Sequence, residues 1–191
     1  MRIPIPERVI KRAKDYAAHS EGFTHDHPGW ENKKSKTWRI TFGKIAEYCI
    51  IDLLGINEKD ITEDKTGYKE NDSLDFIFRC KKYDVKTTYT KCMPVSITTV
   101  YEDKDIDYFI GTKIDFDCRF LEILGVIEKR EAVNATYFLP HNAHVCGPYK
   151  VLYEKGAYYF TGTYDDFFTH FELSKSVDKE PVFVQGTFWD H

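Results

Sequence analysis

Residues 75 to 88 constrain this chain more than any other stretch. They read Asp75-Phe76-Ile77-Phe78, then Arg79-Cys80-Lys81-Lys82, then Tyr83-Asp84-Val85-Lys86-Thr87-Thr88. Alternating apolar and polar residues on either side of a four-residue polar connector predict two short strands joined by a tight turn. Successive side chains on a strand point to opposite faces, so Asp84, Lys86 and Thr88 share one face and Val85 and Thr87 the other. A carboxylate and an ammonium therefore stand side by side. The antiparallel return brings Asp75 to the same end of the hairpin, at a distance from Asp84 that the strand register decides.

Two helical patterns precede the hairpin. Pro6 suits a first helical position, and Val9, Ile10, Ala13, Tyr16 and Ala17 recur at helical spacing until His19-Ser20-Glu21-Gly22 ends the run. From about Thr37 to Leu54 a second stripe is formed by Phe42, Ile45, Ala46, Cys49, Ile50, Leu53 and Leu54, with Gly55 as a left-handed stop. Glu47 projects from the edge of that stripe, one turn after Gly43. Residues 23 to 36 read as a loop between the helices, holding His25-Asp26-His27-Pro28-Gly29-Trp30 and the run Lys33-Lys34-Ser35-Lys36.

Beyond the hairpin, residues 108–114 and 119–127 predict a second strand pair around Asp115-Phe116-Asp117, followed by a short helical turn at 128–133. The segment Glu102-Asp103-Lys104-Asp105-Ile106-Asp107 has the alternation of a calcium loop, but the turn glycine and closing glutamate of such a loop are replaced by Tyr108 and Ile114, so it reads as a solvated acidic turn. His141-Asn142-Ala143-His144-Val145-Cys146 offers three zinc donors without a fourth. The aromatic tail predicts strands at 151–153, 158–161 and 182–184.

Composition bounds the partners. With 191 residues, 42% of them hydrophobic, the chain can bury one proper core. It is expected to be a single domain: an N-terminal helix and basic loop over 1–36, a core over about 37–135 and a β-rich aromatic C-terminal extension over 136–191. No apolar run reaches the roughly 18 residues of a membrane helix, so no membrane partner is expected. The five cysteines are scattered and odd in number, which predicts reduced thiols and a cytoplasmic location. The net charge of −4 is unevenly spread, with ten basic and five acidic residues up to Lys44. A basic segment beside an acidic body is compatible with a phosphate-tracking surface next to a carboxylate-lined metal site, and equally with a solvated helix.

In this order, a helix carrying Gly43-x-x-x-Glu47, then Asp75 opening a strand, then Asp84-Val85-Lys86 on the next strand resembles the PD-(D/E)xK nuclease superfamily of phages and bacteria. The later segments Asp107-Tyr108-Phe109-Ile110-Gly111 and Leu121-Glu122-Ile123-Leu124-Gly125-Val126-Ile127 are similar to its later strands. The likeness covers residues 37 to 135, about half of the chain. Leu74 stands where the family's name has proline, and Asp72 is a rival for the role of Asp75.

The resemblance implies an α/β, restriction-endonuclease-like core: a central mixed β-sheet flanked by helices. It implies a Mg²⁺-dependent nuclease, with Mn²⁺ able to substitute, acting on DNA and, with less support, RNA. Asp75, Asp84 and the main-chain carbonyl of Val85 would be metal ligands, and Glu47 would approach from the helix. Lys86 would orient the attacking water and stabilise developing charge. Lys33, Lys34, Lys36 and Arg39 are candidate phosphate contacts, and Trp30 or Trp38 could stack on a base. Dimerisation is the usual way for so small a nuclease to cut both strands. The alternative from another class is a non-catalytic nucleic-acid- or protein-binding module that keeps the fold. An aromatic carbohydrate-binding β-domain would fit the tail but leave the first half unexplained.

Overall fold

A computed structural model describes residues 2–20, 33–62, 74–88, 96–98, 105–115, 117–134, 157–159 and 164–173. They form a mixed α/β structure around a five-stranded sheet of order β1-β6-β5-β3-β2, where β1 is Arg2–Pro4, β2 Phe76–Phe78, β3 Lys81–Thr88, β5 Tyr108–Ile114 and β6 Phe120–Glu128. The sheet is mixed because β3 and β5 run parallel while the other three pairings are antiparallel. A second, two-stranded sheet pairs β4 (Ser96–Thr98) with β7 (Ala157–Tyr159).

The helices are α1 (Glu7–Ser20), α2 (Lys33–Leu54), α3 (Lys129–Asn134) and α4 (Tyr164–Phe171). Helix α2 begins at Lys33 rather than near Thr37, so the predicted basic loop is shorter and its lysine run belongs to the helix. Straight-chain lysines are good helix formers, and here they extend the helix beyond its apolar stripe. The buried residues Phe42, Ile45, Ala46, Cys49 and Ile50 follow the expected periodicity and share one core with Tyr83, Val85, Ile110 and Leu121. Helices α1 and α2 meet along a stepped seam: Arg8 pairs with Asp52 at 2.6 Å, the Arg12 guanidinium lies 3.9 Å from the centre of the Tyr48 ring, and Lys44 Nζ lies 4.5 Å from that of Tyr16. Steps of four residues on both helices keep all three pairs on the facing sides of an antiparallel packing.

The hairpin is tighter than the four-residue connector that its polar residues suggest. Only Arg79 and Cys80 lie outside the strands, with φ of 49° and 60°. Two consecutive left-handed residues are what a two-residue hairpin turn requires, and strand pairing draws Lys81 and Lys82 into β3 despite their polarity. The resulting register pairs Phe76 with Tyr83 and Phe78 with Lys81.

Two elements depart from expectation. Arg2–Pro4, which its proline and polarity made unremarkable, is an edge strand on β6, where a residue without an N–H is tolerated. In the C-terminal region expected to be β-rich, β7 overlaps the predicted 158–161 strand, but α4 was not expected there; it has Asp165 and Asp166 in its first turn. Phe167, Phe168 and Phe171 fall on one helical face and are buried in the main core. The predicted strands at 151–153 and 182–184 lie outside the described residues.

Candidate functional site

The cluster is built around Asp75. The pairing of Phe76 with Tyr83 makes Asp84 the cross-strand neighbour of Asp75, so the register that the sequence left open brings the two aspartates together. Asp75 is held through three bonds: its N–H donates to Tyr83 O at 2.9 Å, its C=O accepts Thr62 N–H at 3.1 Å, and its Oδ2 accepts Val85 N–H at 2.6 Å. The last of these uses the side chain to occupy a main-chain donor beyond the start of β2.

Two ion pairs flank it. On α2, Lys44 Nζ donates to Glu47 Oε2 at 2.6 Å, with the two side chains 10% and 14% exposed. On β3, Lys86 Nζ lies against Asp84 Oδ2, with side chains 17% and 6% exposed. That aspartate oxygen is sealed from solvent and, though it faces an ammonium, accepts no well-directed hydrogen bond. Thr112 Oγ1 donates to the carbonyl of Lys86 at 3.2 Å, tying β5 to the lysine's backbone.

The electrostatics place all five groups in one field. Burial, then the carboxylates of Glu47 and Asp84, push the Asp75 carboxyl well above the usual range, against a partial pull from Lys44 and Lys86. For Lys44, burial works to remove the proton, but Glu47 and Asp75 outweigh it and the ammonium is held more firmly than an ordinary lysine's. The cluster is therefore three carboxyl and two ammonium groups, with the central carboxyl holding its proton to a higher pH than an ordinary aspartate does.

Hard carboxylate oxygens, one of them buried without a good hydrogen bond, are the donor chemistry that suits a hard divalent cation. In spacing the cluster is not a ready cage: among the described residues no three His, Cys, Asp or Glu side chains are gathered so as to hold an ion. Glu47 and Asp84 are matched with ammonium groups instead. Glu47, Asp75, Asp84 and Lys86 thus fall in one neighbourhood, and Val85 lies there with its N–H on Asp75.

Lys44 is the member that sequence reasoning missed. Its signal was available: a lysine on the flank of an apolar stripe, three residues before a glutamate on the same helix, is spaced for an intrahelical ion pair. Lys33, Lys34 and Lys36 lie in the first turns of α2, with side chains outside the described set, and Arg39 is half-buried. At 1.5 Å of rise per residue, these positions begin about 12 to 21 Å along the helix axis from Glu47. Trp38 packs edge-on against Phe42, with ring centres 4.2 Å apart, and joins the margin of the core. Trp30, Asp72, the His25 to His27 group and the His141 to Cys146 group lie outside the described residues. The expected acidic turn is more than solvated. Asp107 donates its N–H to Lys82 O at 3.0 Å and accepts Lys82 N–H on Oδ2 at 2.9 Å, which fastens the start of β5 to β3.

No protein-family model, no curated protein and no solved structure matches the chain significantly. Among the described residues no helix is long and apolar enough to cross a membrane.

Proposed function

We propose that the chain is a hydrolase of phosphodiester bonds, and within that class a Mg²⁺-dependent DNA endonuclease of the PD-(D/E)xK type. The observation that carries this reading is the field around Asp75: Glu47 from a helix and Asp84 from a hairpin strand, with Lys86 beside the latter, act on one buried carboxyl whose Oδ2 is fixed by Val85 N–H. Asp75, Asp84 and the Val85 carbonyl would hold the ion, with Glu47 on the ion or on its water. When bound, the ion would neutralise charge on the non-bridging oxygens and supply a hydroxide-like nucleophile at neutral pH.

The chain's own groups do the rest. Asp75, fixed by its three bonds, presents an oxygen whose position does not depend on side-chain freedom. Lys86 keeps its ammonium on the Asp84 face, where it can orient a water and stabilise charge that grows on the phosphate oxygens. Lys33, Lys34, Lys36 and Arg39 would meet the phosphates of a strand running along α2.

Calorimetric titration of Mg²⁺ or Mn²⁺ into the wild type and Asp84→Ala, with parallel incubation on plasmid, tests the reading. Nuclease action predicts metal binding and nicking in the wild type, both abolished in the variant. A DNA-binding module predicts a mobility shift that survives the substitution, with no cleavage in either protein.

A further inference from the structure

We propose that the Lys44 ammonium is a built-in cation of the acidic cluster, holding Glu47 in an ion-free arrangement from which a divalent metal must displace it. This rests on the reading of the cluster as a metal site and concerns how that site is regulated.

Lys44 is nearly as buried as the apolar residues around it, at 8% exposure, and lysine is rarely so placed without a partner. Its partner is Glu47 at 2.6 Å, one helical turn on. The outer side of the ammonium is closed by the Tyr16 ring, 4.5 Å away, whose electron-rich face attracts a cation. That ring is set by the α1–α2 seam, in which the Arg8–Asp52 and Arg12–Tyr48 pairs lie in line with it. Lys44 is therefore fixed from two elements and also acts on Asp75.

Charge and geometry agree on the consequence. Each outer carboxylate already has a cation, and no three donors are gathered for a metal among the described residues. Lys86 leaves the strand beside Asp84, while Lys44 has a flexible four-carbon stem on a helix that lets its head move off Glu47. Between the two ammonium groups, Lys44 is thus the one whose departure would release a carboxylate from a different element. A divalent ion gains Glu47 only when Lys44 lets go, so Lys44 is a positioning residue that sets metal affinity.

The test is Mn²⁺ affinity by calorimetry, with the melting temperature measured without and with Mn²⁺, for the wild type, Lys44→Met and Tyr16→Leu. Lys44→Met is expected to melt lower without metal, to bind Mn²⁺ about tenfold more tightly because a like charge has been removed, and to gain more from Mn²⁺ than the wild type does. Tyr16→Leu keeps the ion pair and loosens only its outer wall, so it should move affinity a few-fold in the same direction, and it decides the matter if Lys44→Met does not fold. Should the wild type bind Mn²⁺ and neither variant bind it more tightly, the displacement idea is overturned while the metal site stands. Should no protein of the set bind Mn²⁺, the metal-site reading fails and this one with it.

Discussion

The main-chain N–H of Val85 donates to Oδ2 of Asp75 at 2.6 Å, so the central carboxyl of the cluster is also a structural acceptor. Asp75→Ala leaves that half-buried donor without its partner and is expected to cost about 1–3 kcal/mol. Asp75→Asn keeps an oxygen there and removes the charge. Because the folded carboxyl titrates above its unfolded counterpart, the wild type is stabilised fully below about pH 4 and loses that contribution as pH rises through the folded value. Metal-free Asp75→Asn should therefore be the more stable protein at neutral pH, with the gap closing in acid. Urea unfolding across a pH series measures it.

Lys86→Met should destabilise the metal-free protein by about 3 kcal/mol, since it strands the buried Asp84 carboxylate. Adding Asp84→Asn to it should recover most of that loss, as removing both charges removes the uncompensated one. A double-mutant cycle in denaturant reads the coupling. A coupling near zero would show that the pair does not stabilise the site.

Helix α4 meets the hairpin at a titratable contact. Tyr83 OH and His170 Nε2 lie 2.7 Å apart, and the His170 ring packs 4.5 Å from that of Tyr108. Burial, then the nearby Arg79 guanidinium, lower the pKa of His170. The folded state thus binds this proton less readily than the unfolded chain, so its contribution is present above about pH 6.5 and is lost as pH falls toward the folded value. His170→Gln should flatten that part of the stability profile, and Tyr83→Phe should cost about 0.5–1.5 kcal/mol. Thermal melts between pH 5 and 8, on the order of the imidazole range, report both.

Gly43 sits under Glu47 without needing to be glycine. A Cβ there would meet Glu47 Oε1 at 3.9 Å, an ordinary contact. Gly43→Ala is therefore expected to stabilise α2 by about 0.5–1 kcal/mol, seen as a higher melting temperature, with metal affinity unchanged.

What could be read in advance followed the strength of local periodicity. The stripe of α2 and the alternation around Asp84 each report a buried face directly, so both elements were legible, and Glu47, Asp75, Asp84 and Lys86 fall into one neighbourhood. The distance between Asp75 and Asp84 was not legible, because it depends on how many residues the turn consumes and both Lys81 and Lys82 looked like turn. Strand β1 was hidden because Pro4 and Arg2 are poor strand signals away from an edge. Helix α4 was hidden by aromatic residues that favour strands in isolation, until Phe167, Phe168 and Phe171 find a core to fill. Lys44 escaped notice because pattern reading assigns charged residues to solvent.

The Arg79–Cys80 turn spends two left-handed residues to keep one count between β2 and β3. Were the count to slip by one, Asp84 and Lys86 would swing to the side that Tyr83 and Val85 now occupy, and those apolar groups would be turned out of the core. Ion pair and oily interior are thus geared to the same pair of dihedral angles, and a mutation that slips this register displaces both together.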